Sequence, residues 1–420
     1  MNLLLLCTML VLGTTRGNDY NFDNSKICKT VTDLNTDEPF LECMCEDREN
    51  FIVDYIFDFS ITRIVIKGCG DVRIPFASLT NLQLTEIEFA DLNKLTIFPF
   101  ALSSVQGVSI LKISDVADLN IIQHAFVGLY NIDQFIIRNV TANIIKSDAF
   151  SAISAVNQFL IEDSTFHEVE QFAFAIQNIT TFNIINTEFH TMANYSLLLH
   201  NVKDVLFDKC VFHETENGSF VFSFVDSVCY KNCQFSEIET TAFHSNPLNV
   251  FSITDSYIEN LKPEAFGGLD IQQSFIFTDN TVDITYDNSF SIFATTFNEI
   301  NMSYCCNTFT CDCNIFWMWG LKYLDKNNTM LENSYCSDKK IPITSYKPVM
   351  DSNSNCMTLE LKYQPKKQSL EADKITADCK GDECLSSAIS SAGWQIKLAF
   401  RTVLCSLFII KLLQSYNINS

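Results

Sequence analysis

The residues whose types and spacing suggest chemistry form a ladder. His167, His190 and His213 recur every 23 residues, and Glu168 and Glu214 follow two of them. Imidazole ligates transition metals and changes charge near neutral pH. Three stacked imidazoles beside carboxylates therefore point to a metal or pH-sensing site. The spacing equally fits a polar edge position copied by duplication, since Ser236 and Glu259 take the next two turns of the pattern. No Gly-rich phosphate loop, HExxH helix or GxSxG elbow occurs. Asp and Glu are scattered along the chain, as a solvated surface requires. The sequence thus predicts a non-enzymatic chain with no cofactor.

A larger repeat positions this ladder. Segments of 23 residues begin at Val156, Ile179, Val202, Val225 and Leu248, which define place 1. Place 4 holds Phe159, Phe182, Val205, Val228 and Phe251, and place 6 holds Ile161, Ile184, Phe207, Tyr230 and Ile253. Alternation with polar neighbours makes this a short strand with one apolar face. One segment cannot bury that face alone, so neighbours must stack. Place 9 holds Ser164, Thr187, Cys210, Cys233 and Ser256, whose small donors suit backbone carbonyls at the strand exit. Place 11 is Phe or Ile, and place 19 is Phe or Leu, including Phe126 and Phe150 in earlier repeats. A Phe spine behind the strands accounts for the abundance of that residue, 36 in all. Further starts at Ile61, Leu84, Val108, Ile132, Ile271 and a degenerate Phe297 bring the total to eleven. Strands about 4.8 Å apart would give a parallel sheet roughly 50 Å long.

These places resemble the leucine-rich repeat family, whose pattern is L-x-x-L-x-L-x-x-N/C-x-L. Phe, Val and Ile stand for most leucines, and the family Asn is missing. The resemblance implies an α/β-type solenoid: a leucine-rich repeat horseshoe of about eleven repeats with a parallel concave β-sheet, few helices and disulfide-bonded caps. A right-handed parallel β-helix is the rival fold, but it lacks the place-9 and place-19 signature. In plan the chain is also similar to anchored arthropod adhesion proteins of this family and to the non-catalytic subunit of crustacean luciferase.

The flanks complete the expected organisation. Residues 1–17 read as a signal peptide, with an apolar run from Leu3 to Leu12 too short to span a membrane. Residues 18–60 form a cysteine-rich cap, and 61–304 the repeats. Cys28, Cys43, Cys45 and Cys69 gather at the N-terminal end with their pairing open. Residues 305–356 resemble the family's C-terminal flank, which implies pairs Cys311–Cys336 and Cys313–Cys356. A four-cysteine zinc site is the alternative, disfavoured in an oxidising compartment. A stalk follows at 357–389. At 390–420, small residues precede an apolar tail, as in a glycosylphosphatidylinositol anchor signal; a membrane span would carry Lys397, Arg401 and Lys411. A freely secreted binding subunit is the other reading of this end.

Cysteine richness and six sequons, at Asn139, Asn178, Asn194, Asn217, Asn301 and Asn327, fit a secretory route. A net charge of −22 argues against nucleic acid and anionic membranes as partners. With Cys7 in the signal peptide, Cys405 in the tail, eight cysteines in the caps and Cys379 and Cys384 in the stalk, Cys210, Cys229, Cys233, Cys305 and Cys306 remain. Cys210 and Cys233 read as buried thiols, whereas Cys229, at the outward place 5, is expected exposed and able either to link two copies through a disulfide or to enter a rearranged pair within the chain. Outward places 3, 5, 7 and 8 are the expected protein-binding face. Asn139 and Asn301 would carry glycans at its ends, at places 8 and 5. Between them the expected patch comprises Leu160, Ile185, Leu206, Phe275 and Phe277, with Glu162, Asp163, Asp204, Asp208, Asp226 and Asp255 around it.

Overall fold

The computed structural model describes residues 27–33, 38–53, 60–80, 82–292, 300–311, 315, 334–337, 342–343, 346–350 and 356–360. All lie within one compact unit, residues 1–379. The expected signal peptide and anchor segment, Asn327 and Cys313 lie outside the described residues.

The chain winds into stacked coils whose strands pair in parallel, each with its counterpart one repeat away. Val156, Ile179, Val202, Val225 and Leu248 stand side by side on adjacent strands, as the period requires. Successive paired strands containing places 3 to 7 run from Arg63–Lys67 through Glu86–Ile97, Ile110–Ile121, Tyr130–Ile145, Ser154–Glu162, Phe174–Ile185, Leu197–Asp208, Phe220–Lys231, Leu248–Thr254 and Ile271–Thr278 to Asn301–Cys305. A second parallel ladder covers places 10 to 14, for example Glu188–Met192 beside Val211–Thr215. No α-helix is present among the described residues. Strands therefore occupy the side of the coil where many leucine-rich repeats carry helix, while the parallel stack remains compatible with a solenoid of that type.

Each central coil turns at left-handed corners. Asp163, Asn186, Lys209, Asn232 and Asp255 at place 8 all have positive φ, as do Phe172, Tyr195, Gly218, Thr241 and Glu264 at place 17. Asn178, Asn201 and Phe224 form a third corner at place 23. Asn and Asp tolerate this conformation better than other residues with a Cβ, and here they also bond between rungs. Asn186 donates to Asp163 at 2.6 Å, Asn139 to Asp115 at 2.8 Å and Asn201 to Asn178 at 2.6 Å.

The interior is aromatic. Phe126, Phe150 and Phe174 stack with ring centres 5.1 and 4.6 Å apart; Leu197 interrupts the spine before Phe220, Phe243 and Phe266 resume it. Phe166, Phe189, Phe212 and Phe235 make a second stack at place 11. These rings are buried, and stacked and edge-to-face pairs strengthen what area burial already contributes.

Place 9 carries donors to carbonyls, as expected. Ser164 donates to the Glu162 carbonyl at 2.7 Å and Thr187 to that of Ile185 at 2.9 Å. Asn280 and Asn307 donate across the coil to the carbonyls of Ile253 and Phe277, at 2.8 and 2.7 Å. The register of their strands puts both at place 9, so an asparagine, expected to be missing, does stand there in the last two repeats.

That register also corrects the expected face. Leu248 pairs with Ile271 but Val250 pairs with Ser274, so the later strand contains one extra residue. Phe275 and Phe277 consequently take places 4 and 6 and are fully buried. A one-residue bulge exchanges the two faces of a strand. Asn301 likewise moves from place 5 to place 3, opposite Ser274.

Disulfides sit near both ends of the stack. Cys28–Cys43 joins an antiparallel pair, Cys28–Thr32 with Pro39–Met44, whose second strand starts the parallel stack against Arg63–Lys67. Cys45–Cys69 ties that cap to the first coil, and Cys311–Cys336 is formed as the family resemblance implied. Cys356 opens the strand Cys356–Glu360, paired antiparallel with Tyr346–Met350.

Candidate functional site

The outward side of places 3, 5 and 7 divides into three zones. In the first rungs, charges pair across strands. Arg63 meets Glu86 at 2.8 Å, and Glu88 lies between Lys67 at 2.7 Å and Lys112 at 3.0 Å. Burial pushes the Glu88 carboxyl up, but the hydrogen bonds from the two lysines outweigh it and hold it below the usual glutamate value.

The middle rungs carry apolar side chains among polar ones. Ile136, Leu160 and Leu206 occupy place 5, in register with Asn183, and Ile185 occupies place 7. All four apolar side chains are half-buried, with Glu162, Asp204 and Asp208 half-buried and Asp163 exposed around them. Arg138 bonds Glu162 at 2.6 Å and marks the N-terminal margin. The expected patch omitted Ile136; its place 5 in the repeat starting at Ile132 was the available signal. Asp226 is exposed but stands at place 2, lining a shallow groove with Asn201, Lys203 and Phe224 along the place-23 corner.

The later rungs are partly covered. Cys229, Ser252, Thr254 and Thr278 occupy places 5 and 7, yet all are buried. Cys229 is already disulfide-bonded within the chain, so it offers no exposed thiol, contrary to the expectation that it would link two copies. Asp255 is exposed at the place-8 corner. Cys210 and Cys233 are free and buried, as expected; burial, then proximity to Cys233, pushes the Cys210 thiol well above its ordinary range.

Of the sequons, Asn139, Asn178, Asn217 and Asn301 are exposed and Asn194 is half-buried. Asn139 sits at a place-8 corner and Asn301 at place 3, leaving the apolar rungs between them without a sequon on places 3, 5 or 7.

The histidine ladder is formed on the second sheet. Ring centres lie 4.7 Å apart from His167 to His190 and 4.8 Å from His190 to His213. The associated carboxylate is Glu188, two residues before His190. Its Oε1 lies 2.7 Å from His213 Nε2 and 3.5 Å from His190 Nε2. A period of two puts places 10 and 12 on one strand face. Glu168 and Glu214 stand at place 13 instead, and Glu214 accepts from Thr191 at 3.4 Å.

The structure thus defines a disulfide-capped parallel β-solenoid compatible with a leucine-rich-repeat-type protein. Comparison with family models and with curated proteins finds no match. The functional reading rests on the surfaces just described.

Proposed function

We propose that the chain is a non-enzymatic extracellular recognition protein that binds a protein partner on the outward face of its first sheet. The observation that carries this reading is the run of half-exposed apolar side chains Ile136, Leu160, Ile185 and Leu206. Carboxylates surround it, and no sequon falls on places 3, 5 or 7 of these rungs. Clustered apolar side chains inside a polar rim are the anatomy of a binding patch. A partner with basic or mixed charge complements the acidic rim and the net charge of −22. The disulfides favour an oxidising, extracellular setting. The plan is similar to the anchored adhesion proteins chaoptin and connectin, which supports placement at the cell surface through a C-terminal lipid anchor.

The test is cell binding by purified wild-type protein and by the double variant Leu160→Arg, Leu206→Arg. Both sites are half-exposed, so the variant should melt with the wild type. At least a tenfold loss of binding is expected, since two buried unpaired charges oppose docking. Undiminished binding by the folded variant overturns the assignment. Release of the native protein from cells by phosphatidylinositol-specific phospholipase C tests the anchor separately, and retention after treatment refutes it.

A further inference from the structure

We infer that Glu188, His190 and His213 form a zinc-binding site on the second sheet, separate from the proposed recognition face. Three ligand atoms of the types that zinc accepts converge there, all within 4.8 Å of one another. Among the described residues, this is the group of His, Cys and acidic side chains so placed. Zinc bonds of about 2.0–2.1 Å in a tetrahedron require donor atoms roughly 3.3 Å apart. The Glu188–His190 separation of 3.5 Å already meets that spacing. The Glu188–His213 contact of 2.7 Å must open, and the two imidazole nitrogens, which lie within 4.8 Å of each other, must approach by up to about 1.5 Å. Each side chain is about two-fifths exposed, leaving the rings room to rotate.

The fold holds the backbone of the site. Between Glu188 and His190, Phe189 points inward and stacks on Phe212 at 5.3 Å, fixing both strands. In-register pairing then sets His213 one strand away from His190. Three protein ligands leave a fourth position for water or for a group from another molecule. The carboxylate brings negative charge to the cation, and neutral imidazoles supply nitrogen donors. His167 stacks on the far side of His190 but does not belong to the converging group, so it flanks the site.

The experiment is calorimetric titration of the full chain with zinc chloride, with calcium chloride as the hard-cation control. Variants are His190→Ser, His213→Ser, Glu188→Gln and His167→Ser. Serine is chosen because Ser236 occupies the same place two rungs beyond His190, and a circular dichroism melt checks each fold. The expected result is one zinc per chain, affinity falling at least tenfold in His190→Ser and His213→Ser and severalfold in Glu188→Gln, His167→Ser within about threefold of wild type, and no calcium heat. Absence of zinc heat in the wild type overturns the inference and leaves a surface ion pair. Equal zinc affinity in His190→Ser or His213→Ser, with the fold intact, also overturns it by placing the ion elsewhere.

Discussion

Asn280→Ala should destabilise the solenoid far more than Asn280→Ser. Asn280 is buried. Its Nδ2 donates to the Ile253 carbonyl at 2.8 Å, and its Oδ1 accepts from the Ser256 amide at 2.9 Å. Alanine leaves both buried backbone groups without this partner. An unsatisfied buried group costs about 1–3 kcal/mol, and the carbonyl, with two lone pairs, stands at the lower end. The expected loss is about 2–4 kcal/mol, corresponding to a fall in melting temperature of about 3–7 °C for a domain of this size. Serine already performs the role one repeat earlier: Ser256 accepts from the Cys233 amide at 3.0 Å and donates to the Thr254 carbonyl at 2.8 Å. Asn280→Ser should therefore keep the Ser256 amide paired and cost about 1 kcal/mol. Urea midpoints give the stability ranking. Hydrogen exchange at the Ser256 amide reports the broken bond directly, which matters in a repeat stack that can open locally. Equal losses for the two variants, or a loss in Asn280→Ala below about 0.5 kcal/mol, would refute the account of place 9 as a backbone-satisfying ladder.

Three further outcomes follow from the geometry. Phe277→Arg should prevent folding and secretion, because a charge forced into a fully buried position exceeds about 4 kcal/mol, whereas Leu206→Arg should be secreted normally; equal yields would contradict the bulge. On a non-reducing gel the protein should run as a monomer, and peptide mapping should find Cys229 in an intramolecular disulfide, so a covalent dimer that disappears in Cys229→Ser would contradict the structure. Glu88 contributes stability above the unfolded-state carboxyl pKa, near 4.5, and loses it as pH falls through its lowered folded-state value. Below about pH 4.5 the urea midpoint of wild type should therefore drop more steeply than that of Glu88→Gln, and parallel slopes would remove the linkage.

The period of 23 determined much of this protein by itself. Equal spacing forces equal places into contact on neighbouring strands. The stacked coils, the Phe spine, the donors at place 9 and the imidazole stack could therefore all be read from sequence. The asparagines and aspartates at place 8 carried an unread signal, since they mark the left-handed corners. The tertiary structure decided what depends on parity and on coverage. One extra residue at Gln272-Gln273, two polar side chains where the pattern has one, turned Phe275 and Phe277 inward and revealed Asn280 at place 9. Counting along a period-two strand cannot locate such an insertion, because either register leaves a plausible alternation. Cys229 had the right parity for exposure but lies where its sheet face is covered. Glu188, rather than Glu168 or Glu214, joined the histidines because sharing a strand face depends on spacing of two, not on adjacency.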